Sequence, residues 1–270
     1  MRAPSSDTAT LGGLKVGCQA WCFNNKTALE AVTLTAKAGG RFIEFFPGQK
    51  VSGDSEERMG PGVSDATVQV ILSHCQKHRV TPLAFGVTNF SRNEAENYKT
   101  FVFAKKLGLY AITCEPAADA FDSLEALVKQ FDIRIAIHNH PKQPGNPSYR
   151  YWDPGYVLEL VGKRDSRLGA CADIGHWVRS GIDPVRAIKQ LKGRVFGCHL
   201  KELDRTAPDA GDAPCGQGNA LAMGVLEELR RQRVAGAVSV EYETDFGNNA
   251  PEIGQCIGFV RGWAQARRYP

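Results

Sequence analysis

Between Leu168 and Lys201 the chain reads LGACADIGHWVRSGIDPVRAIKQLKGRVFGCHLK, and this segment holds one complete unit of a larger pattern. It opens on a short apolar run, Leu168–Ala172, and closes on another, Val195–Cys198. Between them Pro184–Leu191 carries apolar residues at helical spacing. Strands without polar alternation are covered on both faces, the mark of a parallel sheet, and a parallel pair needs a long crossover, normally a helix. Each run stops on charge or imidazole: Asp173-Ile174-Gly175-His176 after the first, His199-Leu200-Lys201 after the second.

The same unit recurs in both directions. Upstream, strands are expected at Lys15–Ala20, Arg41–Phe46, Val80–Val87, Leu109–Cys114 and Ile133–Ile137. The helices between them fall near Lys26–Ala38, Asp65–His78 with Ser64 as N-cap, from a Ser91 cap to Lys106, around Ser123–Phe131 and near Pro154–Gly162. Downstream, a helix near Leu221–Gln232, a strand at Val238–Val240 and a last helix over Pro251–Ala266 complete eight strand-helix units. Eight such units in 270 residues match the count and the usual length, about 250 residues, of a single α/β (β/α)₈ TIM barrel. An open doubly wound sheet is the alternative, but the turn Ala20–Lys26 lacks the glycine-rich phosphate cradle of that fold. The barrel is expected over residues 14–270, after a polar, disordered tail over residues 1–13.

Composition narrows the partners. Lys plus Arg total 33 against 29 Asp plus Glu, a net charge of +4 with no basic stripe, so no nucleic acid is expected. No apolar stretch reaches the length of a membrane span. The first ten residues lack the apolar core of a secretory signal, which suggests a cytoplasmic protein, or a periplasmic one if a leader has been removed. None of the eight cysteines forms a CxxC pair, and they read as mostly reduced thiols. Homo-oligomerisation stays open.

Active sites of such barrels form at the C-terminal strand ends. Five strands in succession end in Glu115, His138-Asn139-His140, Asp173 with His176, His199 with Lys201, and Glu241 with Glu243. A lone histidine at such a place is more often a hydrogen-bonded structural residue than a ligand. Five such endings converging on one mouth are costly to bury unless a divalent cation draws them together. Imidazole nitrogen and carboxylate oxygen suit Mn, Co, Mg, Fe or Zn.

With those residues in view, the chain resembles the xylose isomerase-like TIM-barrel superfamily, the sugar phosphate isomerase/epimerase group, from about Leu14 to Ala266. The resemblance rests on "FIEFFPGQ" (Phe42–Gln49), "IAIHNH" (Ile135–His140), "ADIGHWVRSGIDP" (Ala172–Pro184), "VFGCHLKE" (Val195–Glu202), "CGQGN" (Cys215–Asn219) and "VSVEYE" (Val238–Glu243). It implies one divalent metal ion with Asp173, His199 and Glu241 as ligands. Where ketose epimerases of the group carry a glutamate ligand after strand five, this chain has His138, so either His138 or Glu115 is the expected fourth ligand. Endonuclease IV-like relatives use more ligands, for three zinc ions, than this chain offers.

The resemblance further implies a small carbohydrate substrate and removal of a proton next to a carbonyl. Glu241 and Glu115 are the candidate bases, with His176 and Lys201 as catalytic hydrogen-bond donors. His140, Trp21, Trp177 and Glu44 are candidates for substrate contact, with Phe23 and Phe46 as further rings at strand ends. The glycine-bearing loops Gly48–Gly62 and Ala207–Gly218 are candidate lids. Isomerisation or epimerisation is the first expected activity; elimination from a keto-sugar or 3-keto-glycoside is the second, and a non-catalytic sugar-binding barrel the third.

Overall fold

The computed structural model describes residues 10–267. Eight parallel strands close on themselves: β1 Lys15–Gln19, β2 Phe42–Phe45, β3 Thr81–Thr88, β4 Ala111–Cys114, β5 Arg134–Ile137, β6 Leu168–Asp173, β7 Val195–Leu200 and β8 Ala237–Val240. Closure is explicit in the pairing of β1 with β8, where Lys15 faces Ala237 and Cys18 faces Val240. The open-sheet alternative is therefore excluded.

The covering helices are α1 Ala28–Lys37, α2 Asp65–His78, α3 Glu94–Lys106, α4 Phe121–Phe131, α5 Pro154–Val161, α6 Ile174–Arg179, α7 Pro184–Gln190, α8 Ala222–Arg231 and α9 Ala250–Ala266. Their caps follow from sequence. Thr27 and Glu30 form a reciprocal capping box at α1, and Ser64 caps α2 through its hydroxyl. At α3 the cap is Asn93, whose side chain accepts from Glu96 N. Ser91, the expected cap, instead accepts from Asn93 N at 3.1 Å, one turn feature earlier. The sixth unit carries the short α6 ahead of the expected helix, because Asp173 caps it directly from the strand end.

The core has two layers. One lies between strands and helices, and the other fills the barrel interior with small residues and rings such as Ala111, Ala136, Cys171 and Phe196. Backbones crowd at Gly17 and Gly236, where a Cβ would stand 1.6 Å from Phe42 O and Phe196 O respectively, so only glycine fits. All eight cysteines are buried and unpaired. Leu11, in the stretch expected to be a tail, bridges Leu14, where the barrel is expected to begin; residues 1–9 of that stretch lie outside the described residues. Among the described residues no helix is long and apolar enough to cross a membrane.

Candidate active site

Four side chains from separate strands meet at the C-terminal end of the barrel. His138 follows β5, Asp173 closes β6, His199 is the penultimate residue of β7 and Glu241 follows β8. Asp173 is paired with His199 and His199 with Ser239, which sets Glu241, two residues on, toward the same side. One nitrogen or oxygen from each lies within 4.8 Å of the others, and all four residues are buried.

At their centre, His138 Nε2, Asp173 Oδ2 and His199 Nδ1 are buried without a hydrogen-bond partner. Asp173 Oδ2 stands 3.6 Å from His138 Nε2 and 3.8 Å from His199 Nδ1, too far to bond either. His199 Nδ1 lies 3.0 Å from Glu241 Oε2 but out of alignment for a hydrogen bond. Bonds of about 2.1 Å to one tetrahedral cation put ligand atoms about 3.4 Å apart, so the four residues fit a single divalent ion.

The surroundings aim both imidazoles inward. Glu44 Oε2 accepts from His199 Nε2 at 3.1 Å and from Ser239 Oγ at 3.0 Å. Glu115 Oε1 lies 3.4 Å from His138 Nδ1. Because a carboxylate only accepts, the opposite ring nitrogen keeps its lone pair for the centre, the arrangement that supports metal-ligating histidines. Asp173 Oδ1 accepts from His176 N at 2.8 Å, which leaves Oδ2 free. Asn139 braces the Asp173 backbone twice, at 2.9 and 3.0 Å.

Above the quartet opens a cavity of about 250 Å³, walled by Gln19, Trp21, Phe46, His140, His176 and Glu243, with Lys201 and Glu241 below. Lys201 Nζ lies 3.2 Å from Glu241 Oε2 and 3.7 Å from Asp173 Oδ2, and it also bonds Glu243. Burial opposes its charge, but these carboxylates outweigh burial and raise its pKa, so it stays an ammonium. Burial drives the His176 pKa well below its usual value, beyond what Asp173 restores, so that ring is neutral. Glu115 is a hub that accepts from Tyr149 Oη at 2.7 Å and from His140 Nδ1 at 2.5 Å. Burial works against its charge, but hydrogen bonds from His138 and His140 prevail and hold its pKa below the ordinary carboxylate range.

Of the residues singled out from sequence, His138, Asp173, His199 and Glu241 come together, and His140, His176, Lys201, Trp21 and Phe46 reach the cavity. Four others do not reach it. Glu115 stands behind the two histidines after β5, and Glu44 sits under His199. Trp177 is only 2% exposed, because α6 buries that face against the strands; Phe23 is likewise in the core. The loop Ala207–Gly218 is tied down through Asp212, which bonds Arg179 at 2.7 Å and Glu243 N at 2.8 Å.

Sequence reading missed Gln19, Asn139, Tyr149 and Arg179. It also left Glu243 without a role, although it lies two residues past Glu241 and hence on the same side. Tyr149 sits in a Pro- and Gly-rich loop with no local signal pointing to Glu115.

Comparison with known proteins follows the same lines. Residues 32–262 match the family model described as xylose isomerase-like TIM barrel. A curated relative, an uncharacterized protein of Methanocaldococcus jannaschii, is 29% identical over 126 residues; the match spans 45% of this chain and 42% of the relative. Among solved structures, an uncharacterized protein from Parabacteroides distasonis is 32% identical, with a TM-score of 0.74 over 93% of this chain and 99% of its own. A D-tagatose 3-epimerase-like protein shares the fold at 15% identity and a TM-score of 0.70, over 94% of this chain and all of its own (100%). A probable 3-DHS dehydratase, AsbF from Bacillus anthracis, shares it at 14% identity and a TM-score of 0.64, over 94% and 98%. The closed barrel and the match over most of its length place this chain in the xylose isomerase-like TIM-barrel family.

Proposed function

We propose that the chain is a divalent-metal-dependent sugar isomerase or epimerase that removes a proton next to a carbonyl. The observation that carries this reading is the buried quartet with three unpartnered atoms turned to one point, beneath a cavity sized for a small sugar. His138, Asp173, His199 and Glu241 would hold the ion, which when bound supplies Lewis-acid stabilisation of negative charge growing on a carbonyl oxygen.

The protein's own groups divide the remaining work. Glu115 accepts from His140 Nδ1, so Nε2 of that ring keeps a lone pair and serves as the proton acceptor. Beside that ring, with centroids 5.3 Å apart, His176 donates to substrate oxygens, as does the Lys201 ammonium. Trp21, which is 40% exposed and meets Phe46 edge to face at 4.9 Å, offers a ring to the apolar face of a sugar.

This one-sided layout also favours a second reading. Glu115 lies behind His138 and does not face Glu241, so a symmetric pair of carboxylates exchanging one proton is missing. A single imidazole base with donors beside it suits elimination, with the donors assisting a leaving group, and one neighbour bears the name of a probable dehydratase. The test is to incubate metal-loaded protein with ketoses, aldoses and keto-glycosides in deuterated water. Deuterium entering a substrate carbon without fragmentation, seen by NMR, supports the isomerase or epimerase; loss of a leaving group in the mass spectrum supports the lyase. Sugar binding with neither event leaves the non-catalytic barrel as the correct description.

A further inference from the structure

Two of the histidines that line the cavity, His140 and His176, are held by opposite chemistries. His140 rests on a carboxylate. His176 Nδ1 instead faces a guanidinium, with Arg179 Nη1 at 3.2 Å. A guanidinium has only donors and does not lose its proton, so His176 Nδ1 must accept. A neutral imidazole that accepts at Nδ1 carries its hydrogen on Nε2. That nitrogen lies 3.7 Å from Asp173 Oδ2, beyond hydrogen-bond reach yet on the side where a carboxylate favours an N–H, and the residue lines the cavity.

Arg179 is itself fixed. Its Nη2 donates to Asp212 Oδ1 at 2.7 Å and to Ala210 O at 2.9 Å, and its Nε donates to Ala210 O at 3.1 Å. Side-chain exposure is 15% for Arg179 and 3% for Asp212, so water competes little. Asp212 also accepts from Glu243 N at 2.8 Å, and Glu243 bonds Lys201. One strap thus links α6, the loop after β7 and the end of β8 to both donors of the cavity.

We infer that Arg179 is a positioning residue that locks His176 as its Nε2–H tautomer, making His176 a hydrogen-bond donor to a substrate oxygen and excluding it as a base or an additional metal ligand. This rests on the proposed reaction only for what receives the hydrogen bond; the tautomer itself is independent of it.

The test is a long-range ¹H–¹⁵N correlation spectrum of ¹⁵N-histidine-labelled full-length protein, with His176 assigned by its disappearance in His176→Gln. The wild-type ring should show a protonated Nε2 and an unprotonated Nδ1. Arg179→Met should convert it to a tautomer mixture or to Nδ1–H, and Arg179→Lys, which keeps a donor, should restore much of the wild-type pattern. With whichever substrate shows exchange or elimination, Arg179→Met should lower kcat about tenfold, the size of one neutral hydrogen bond, with KM changed less. Should Arg179→Met fail to fold, Asp212→Asn, which loosens the guanidinium without removing it, gives the same readout more weakly. A wild-type His176 protonated at Nδ1, or one whose tautomer is unmoved in Arg179→Met, overturns the inference. The expected spectrum together with no reaction on any sugar overturns the enzymatic reading and leaves Arg179's role standing.

Discussion

The two ends of this barrel bury polar groups under opposite rules. At the N-terminal end, Tyr110 packs against Phe42, Leu83 and Ala237 and carries the Arg134 guanidinium 4.3 Å from its ring centre and Lys15 Nζ at 5.7 Å. Arg194 donates to Asp165 O and Leu168 O at 2.7 and 2.9 Å. A groove of about 1030 Å³ also opens at this end, roomier than the cavity over the quartet. Among the described residues, none that lines it has a buried unpartnered side-chain atom. At the C-terminal end the space is smaller, yet three such atoms face one another. The comparison teaches that unsatisfied burial, and not cavity size, marks the end built to receive something, since leaving such groups unpaired costs about 1–3 kcal/mol each.

The sharpest way to break this contrast is at the quartet. His199→Ala should abolish stoichiometric divalent-ion binding, measured by elemental analysis and calorimetry, and abolish activity with it; retention of both would show that the two ends do not differ as described. Next comes the other end: Tyr110→Ala should destabilise the fold by about 2–3 kcal/mol in denaturant unfolding while leaving metal affinity unchanged. Loss of metal binding in that variant would mean that the ends are not independent. Glu44→Gln, which disturbs only the group behind His199, should weaken metal affinity about 10- to 100-fold, an intermediate value that separates supporting residues from ligands.

The smallest effect is expected from the paired surface carboxylate Asp165. The Arg167 guanidinium and backbone N–H lower its pKa from 3.8 to about 2. Its folded pKa lies below the unfolded one, so its contribution to stability is present above about pH 4 and lost as pH falls through about 2. The gap in melting temperature between wild type and Asp165→Asn should be constant from neutral pH to about 4 and shrink below it. A gap that widens on acidification would reverse the assigned sign.

Much of this is legible in the amino-acid sequence. The apolar runs, their helical partners and the polar residues closing each strand are local patterns, written in periods of two and of 3.6 residues. They placed Asp173, His199 and Glu241 at strand ends, and a strand end in a parallel barrel has only one mouth to face. Glu115 and Glu44 were harder, because a carboxylate at a strand end looks the same whether it reaches the cavity or backs a histidine. Trp177 misled for a similar reason: a ring after a strand reads as a cavity wall until the turn of α6 carries it inward.

By itself, then, the chain's sequence determined the number and order of the units, the chemistry gathered at one end and the residue types able to hold a cation. Tertiary structure alone decided closure between β1 and β8, which nitrogen of each histidine points where, and which carboxylate supports which ring. The reason is physical. Secondary structure answers to neighbours a few residues away, whereas a tautomer answers to whatever partner the packing brings up, here Glu115 for His140 and Arg179 for His176.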